Sequence, residues 1–139
     1  MAKDKEKPKT VIVVCVDRDN DLGRKTGIEG PVIGRARNVN AAKALALKDP
    51  TESDANTMFA AVKKLEEIKN EFPKIEVVTL TGKGKLGFAS DKRINEQLDL
   101  LTEKFNIQGF VLVTDGMEDD QVIPLLQSRA KIISKETVI

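Results

Sequence analysis

The sequence predicts a three-layer α/β sandwich, a parallel sheet of four to five strands with helices on both faces. Three observations carry that reading. Strand-like and helix-like segments alternate at a spacing suited to crossover connections. The first strand, Val11-Ile-Val-Val-Cys-Val16, is apolar at every position, as a central strand covered on both sides must be. The length, 139 residues, suits one domain with a single sheet-centred core.

The elements follow in order. Residues 1 to 9 are charged and read as a solvated, disordered leader ahead of one α/β domain over 10–139. After the strand at Val11 to Val16, the segment Asp17 to Arg35 holds Gly23, Gly27, Gly30, Pro31 and Gly34. It reads as a long functional loop rather than a regular element. Asn38 or Asn40 is placed to cap a first helix running to Leu47, stopped by Asp49-Pro50. Thr51 or Ser53 caps a second, to about Asn70, whose Met58, Val62, Leu65, Ile68 and Phe72 share one helical face. Ile75 to Leu80 is the second strand, followed by the glycine loop Thr81 to Gly87. Ser90 is a suitable cap for a helix with Ile94, Leu98, Leu101 and Phe105 inward. Gly109 to Val113 is the third strand. A last helix starts near Gln121, since Pro124 suits an early position, and Ala130 to Ile133 forms a fourth strand. Thr137 to Ile139 would begin another. The pattern is Rossmann-like in its alternation.

Composition narrows the chemistry. With 23 basic and 22 acidic residues the net charge is +1, so no global field favours nucleic acid or an anionic membrane. The absence of His removes the commonest general base and zinc ligand. The single cysteine, Cys15, lies inside the apolar strand and reads as a small buried hydrophobe in a reducing cytosol. No signal peptide precedes the domain, and no apolar run reaches the ~20 residues that span a bilayer.

The strand ends carry the candidate site. In a parallel sheet the carboxyl ends of all strands lie on one edge, where ligands bind. The first strand delivers Asp17, Asp19 and Asp21 there; the third delivers Thr114 and Asp115, then Glu118, Asp119 and Asp120. Carboxylates from two strands suit a hard cation, Mg²⁺ or Mn²⁺, shared with phosphate oxygens. The expected metal ligands are Asp17, Asp19, Asp115 and Asp119, with Asp17 and Asp19 as the residues on which any catalysis would rest. Thr81, Gly82, Gly84 and Lys85 form a loop whose N–H groups and ammonium suit an anion, and Arg35 adds a guanidinium. The alternative for each aspartate is a turn or a helix cap. The Asp49 to Asp54 stretch reads as a helix start and not as a site. The expected ligand is a phosphate-containing small molecule. No nucleic-acid signal is present, self-association is left open, and so is whether the domain turns a substrate over.

Two resemblances extend this. Asp-x-Asp after the first strand, Thr-Gly after a middle strand, a lysine and then Asp-Gly-x-x-Asp resemble the haloacid-dehalogenase-like phosphohydrolases. That likeness implies Asp17 as nucleophile, Asp19 as acid/base, Thr81 and Lys85 on phosphate, and Asp115 with Asp119 on the metal. Read together, Asp17 to Gly23, Gly30-Pro-Val-Ile-Gly34, Ala44 to Asn56 and Thr114 to Asp120 resemble an archaeal family called domain of unknown function 373. This second likeness covers the chain from Val11 onward. It implies a soluble N-terminal domain on the cytoplasmic face of a membrane-anchored protein, cut before its membrane-spanning helices. The alternative function it suggests is a non-catalytic sensor or interaction domain regulating that membrane portion.

Overall fold

A computed structural model of the chain describes residues 7–84 and 87–138. The elements are β1 (Lys9–Asp17), α1 (Asp21–Thr26), β2 (Val32–Ile33), α2 (Arg35–Lys48), α3 (Ser53–Ile68), β3 (Ile75–Thr81), α4 (Phe88–Lys104), β4 (Asn106–Thr114), α5 (Asp119–Gln127) and β5 (Ile132–Thr137). They build one five-stranded sheet in the order β2-β3-β1-β4-β5. The pairs β1–β3, β1–β4 and β4–β5 are parallel. The short β2 runs antiparallel to β3 through Val32↔Thr79 and Ile33↔Val78. The α/β class stands, with a mostly parallel rather than wholly parallel sheet.

The apolar alternation of β1 explains its burial on both sides. Val11, Val13 and Cys15 point to one face, where Val77, Val111 and Val113 join Leu45 of α2 and Met58, Ala61 and Leu65 of α3. Ile12 and Val14 point to the other, where Leu80, Phe110 and Leu112 meet Ile94, Leu98 and Leu101 of α4 and Val122 and Leu126 of α5. Such continuous apolar strands are what a sheet covered on both faces requires. Cys15 belongs to this core: its Sγ lies 3.0 Å from Thr79 Oγ1, and burial pushes the thiol up to about 12, which leaves it unreactive.

Several boundaries differ from the sequence reading. The glycine-rich stretch after Asp17 holds a regular helix, α1, because Asn20 sits in the left-handed region (φ 59°) and its side chain accepts from Gly23 N. It also holds β2. Asn38 does not cap α2, which begins three residues earlier after Gly34. It is fully buried, with Nδ2 donating to Val32 O (3.0 Å) and Gly34 O (2.7 Å) and Oδ1 accepting from Thr79 Oγ1 (2.6 Å). Ser90 likewise lies inside α4, which starts after Gly87. Its hydroxyl donates to Arg18 O (2.9 Å) and accepts from Lys83 N (2.9 Å), fastening the helix to the end of β1. The last helix opens at Asp119, so Pro124 lies inside it. Thr137 ends β5 rather than starting a new strand. Of the charged leader, residues 1–6 lie outside the described residues, and β1 begins at Lys9. Among the described residues no helix is long and apolar enough to cross a membrane.

The topology sets the site. From β1 the chain passes to β3 on one side, then crosses to β4 on the other. At the carboxyl edge between β1 and β4 the connections diverge and leave a crevice, the position where open α/β sheets bind ligands.

Candidate functional site

That crevice is a cavity of about 420 Å³ lined by Val16, Arg18, Asp19, Asp21, Ser53, Asp54, Asp115, Met117, Glu118 and Val122. Five carboxylates and one guanidinium face it, over an apolar wall of Val16, Met117 and Val122.

Asp17, buried and not part of the lining, sits behind three of these acids: one carboxylate oxygen each from Asp17, Asp19, Asp21 and Asp54 lie within 4.8 Å of one another. Asp17 is held from behind: Oδ1 accepts from Asp21 N (3.0 Å) and Oδ2 from Leu22 N (2.8 Å), the free donors of the first turn of α1. This fixes the carboxylate where β1 ends. Asp54 arrives from a different element, the first turn of α3. That helix runs against the parallel strands, so its N-terminus comes to the carboxyl edge.

The electrostatics reflect the crowding. Burial, and then the Asp17 charge, push the Asp54 carboxyl up to about 10. Asp19 is raised by burial and by Asp17, and Asp21 by burial and by Asp19. A group of carboxylates this close cannot all ionise without a cation. Among the described residues the only protein cation on the four is Arg24, exposed to solvent, which pairs with Asp21. Lys25 is spent elsewhere, on Asp49 (2.8 Å) and Glu52 (2.5 Å). Against its own burial, Glu52 is held below the usual carboxylate range by that ammonium. The Lys25 pairs tie α1 to the start of α3 and so set the position of Asp54.

On the far wall Arg18 is only 8% exposed and forks between two acids, Nε to Asp91 (3.0 Å) and an NH group to Glu118 (2.6 Å). Glu118 takes a left-handed backbone (φ 62°), unusual outside glycine. Asp115 accepts from Met117 N (2.9 Å) and from Ser53 Oγ (3.3 Å), which links the end of β4 to the start of α3.

The expected residues divide accordingly. Asp17 and Asp19 stand in the cluster. Asp115 lines the same cavity without being one of the four. Asp119 turns away, accepting from Thr114 Oγ1 (2.6 Å) and facing Lys135 (3.4 Å). Thr81 is fully buried: its hydroxyl accepts from Gly30 N (2.9 Å), and its backbone is paired with Gln97. It shapes the end of β3, and its burial keeps the hydroxyl out of the cavity. Gly82 donates to Asp17 O (2.8 Å) and lies so close to β1 that a Cβ would collide with the Arg18 carbonyl. Gly84 is exposed beside Arg24; Lys85 lies outside the described residues. Arg35 pairs with Glu66 (3.0 Å), thirteen residues along α3 from Ser53. At 1.5 Å per residue that is roughly 20 Å from the cavity, so Arg35 is not part of this site.

Sequence reasoning left Asp54, Asp21 and Arg18 out of the candidate site residues. The signal for Asp54 was available: a helix leading into a parallel strand begins at the sheet's carboxyl edge, so acids in its first turn face the crevice.

Fold and cavity together define an α/β domain with a carboxylate-lined crevice at its topological switch point. The chain belongs to the family described as "Domain of unknown function (DUF373)", whose model matches residues 10–139. An uncharacterized protein of Archaeoglobus fulgidus is 45% identical to it over 95% of this chain and 38% of its own length. One of Methanocaldococcus jannaschii is 37% identical over 98% of this chain and 37% of its own length. The chain thus spans less than two fifths of these relatives. No solved structure matches it.

Proposed function

We propose that this domain binds a divalent cation, Mg²⁺ or Mn²⁺, together with a phosphate-bearing small molecule. The observation that carries the reading is the group of four aspartate oxygens within 4.8 Å. Oxygens on opposite sides of a bound ion are separated by twice the metal–oxygen distance, about 4.2 Å for Mg²⁺ and about 4.8 Å for Ca²⁺. The spread of the four is therefore the size of one coordination sphere. Asp17 and Asp54 are the central ligands, with Asp19 and Asp21 completing the protein side. Asp115, across the cavity, is placed to meet a water or a second ligand. Arg18 lines the opposite wall, where a phosphate oxygen bridging to the ion would meet a guanidinium.

The geometry supports binding better than a phosphoryl transfer of the haloacid-dehalogenase type. The Thr81 hydroxyl, the phosphate holder that chemistry expects, is fully buried against Gly30 and does not line the cavity. A second reading, a sensor or interaction domain regulating an attached membrane portion without turnover, draws on the relatives' greater length. Thermal unfolding with Mg²⁺ or Mn²⁺, with and without phosphate compounds, tests the shared core of both. A ligand at 100 times its dissociation constant adds about 2.7 kcal/mol, and an unchanged melting temperature under every condition would sink it. Assay of generic phosphoesters with wild type and Asp17→Asn then separates turnover from sensing.

A further inference from the structure

Arg18 is the one cation among the residues lining the acidic crevice, and two carboxylates hold it. Asp91, in the first turn of α4, takes the guanidinium Nε at 3.0 Å. Glu118, from the short connection between β4 and α5, takes an NH group at 2.6 Å. One carboxylate balances one guanidinium. The second is surplus negative charge in a crevice that also holds Asp19, Asp21, Asp54 and Asp115.

The two partners are not equally fixed. Asp91 follows Ser90, whose hydroxyl fastens α4 to the Arg18 carbonyl (2.9 Å), so the fold itself holds that pair. Glu118 gives up local structure to make its contact. It is the N-cap of α5, yet its side chain makes no capping bond and reaches Arg18 instead. Its backbone lies in the left-handed region (φ 62°, ψ 17°), whereas an N-cap residue ordinarily takes an extended backbone. The ion pair with Arg18 offsets both losses.

Resting on the cation-and-phosphate reading above, we propose that Glu118 is an internal competitor of the ligand's phosphate. Its carboxylate and the phosphate take turns on the Arg18 guanidinium, which accepts either oxyanion. Displaced, Glu118 returns to the extended backbone of an ordinary N-cap, and the connection 115–118 moves with it. Apparent phosphate affinity is then the intrinsic affinity reduced by the fraction of time that Arg18 is free.

The test is calorimetric titration of inorganic pyrophosphate into the 139-residue chain in Mn²⁺. Wild type is compared with Glu118→Gln, Arg18→Met and the double variant. Glu118→Gln should bind pyrophosphate about fivefold or more tightly than wild type, with Mn²⁺ affinity unchanged. Glu118→Gly, which suits the left-handed backbone and removes the side chain, should show the same gain. In the Arg18→Met background the gain should vanish, because there is no guanidinium to compete for. Amide exchange at residues 115–118 of the wild type should quicken when pyrophosphate binds, a readout that needs no variant. Unchanged or weaker pyrophosphate binding in Glu118→Gln, or exchange at 115–118 that ignores pyrophosphate, overturns the competition and leaves the cation-and-phosphate reading standing. A gain that persists in Arg18→Met also overturns it, as plain relief of negative charge in the crevice. Mn²⁺ binding with no pyrophosphate bound by wild type or Glu118→Gln removes the competition and the phosphate together. A wild-type chain that binds no Mn²⁺ brings down both readings.

Discussion

Asp54 shows how one side chain sets the behaviour of the site. Its carboxyl, like those of Asp19 and Asp21, titrates above the ordinary aspartate range because it is buried among like charges. The folded chain therefore retains protons that the unfolded chain has released above about pH 4. Stability from these groups is complete below that pH and is lost as pH rises toward the folded value, about 10 for Asp54. The cation-free domain should melt at a lower temperature at pH 8.5 than at pH 5.5. Asp54→Asn should flatten that dependence and stabilise the cation-free fold at pH 8 by roughly 1 kcal/mol, a trade of function for stability. Gly82→Ala acts in the opposite direction. Its methyl group meets the Arg18 carbonyl, and chemical denaturation should record a loss of about 1–3 kcal/mol. The need for glycine at that position, where β3 leaves the sheet against β1, was not readable from the sequence, because the close approach exists only once the strands pair.

Among the elements, the long strands were legible, as was the start of α3 at Ser53, whereas the short β2 and the other helix starts were not. Val11 to Val16 announces β1 because burial on both faces leaves no polar position, and the carboxyl-edge placement of Asp17 follows from parallel pairing alone. Helix starts went astray where a side chain has a tertiary partner better than its local one. Asn38 and Ser90 look like caps, yet each reaches across to another element, Asn38 to β2 and Thr79, Ser90 to Arg18 and Lys83. Asn38→Leu should therefore cost more than a lost cap. It removes the Thr79 hydroxyl's short bond to Asn38 and the amide donor of the Val32 carbonyl in the core, and roughly 2–4 kcal/mol is expected in denaturant unfolding. Helix α1 was missed for another reason: its N-cap requires Asn20 in a left-handed conformation that composition does not reveal. The acidic cluster was half legible. Asp17 and Asp19 follow directly from their strand, whereas Asp54 depends on where α3 begins in space. Asp119 was misplaced because Thr114 and Lys135 hold it on the β5 side.

At the scale of the molecule, the charges of the carboxyl edge are arranged rather than scattered. A chain with net charge +1 puts five carboxylates and one arginine around one crevice. Arg18 pairs with Asp91 of α4 and with Glu118 ahead of α5, tying both to the end of β1. Arg18→Met should loosen the β4–α5 connection at Glu118, read as faster amide exchange at residues 115–118, and should weaken phosphate binding more than cation binding. The family model matches residues 10–139, which contain every residue lining the crevice.

Titration of Mn²⁺ into the chain at pH 7.5, followed by the loss of the free-ion paramagnetic resonance signal, tests the proposed cation site most directly. One ion bound per chain, with affinity reduced at least tenfold in both Asp17→Asn and Asp54→Asn and unchanged in Asp119→Asn, is the predicted result. A full free-ion signal throughout the wild-type titration, or binding that survives both Asp17→Asn and Asp54→Asn, would contradict it.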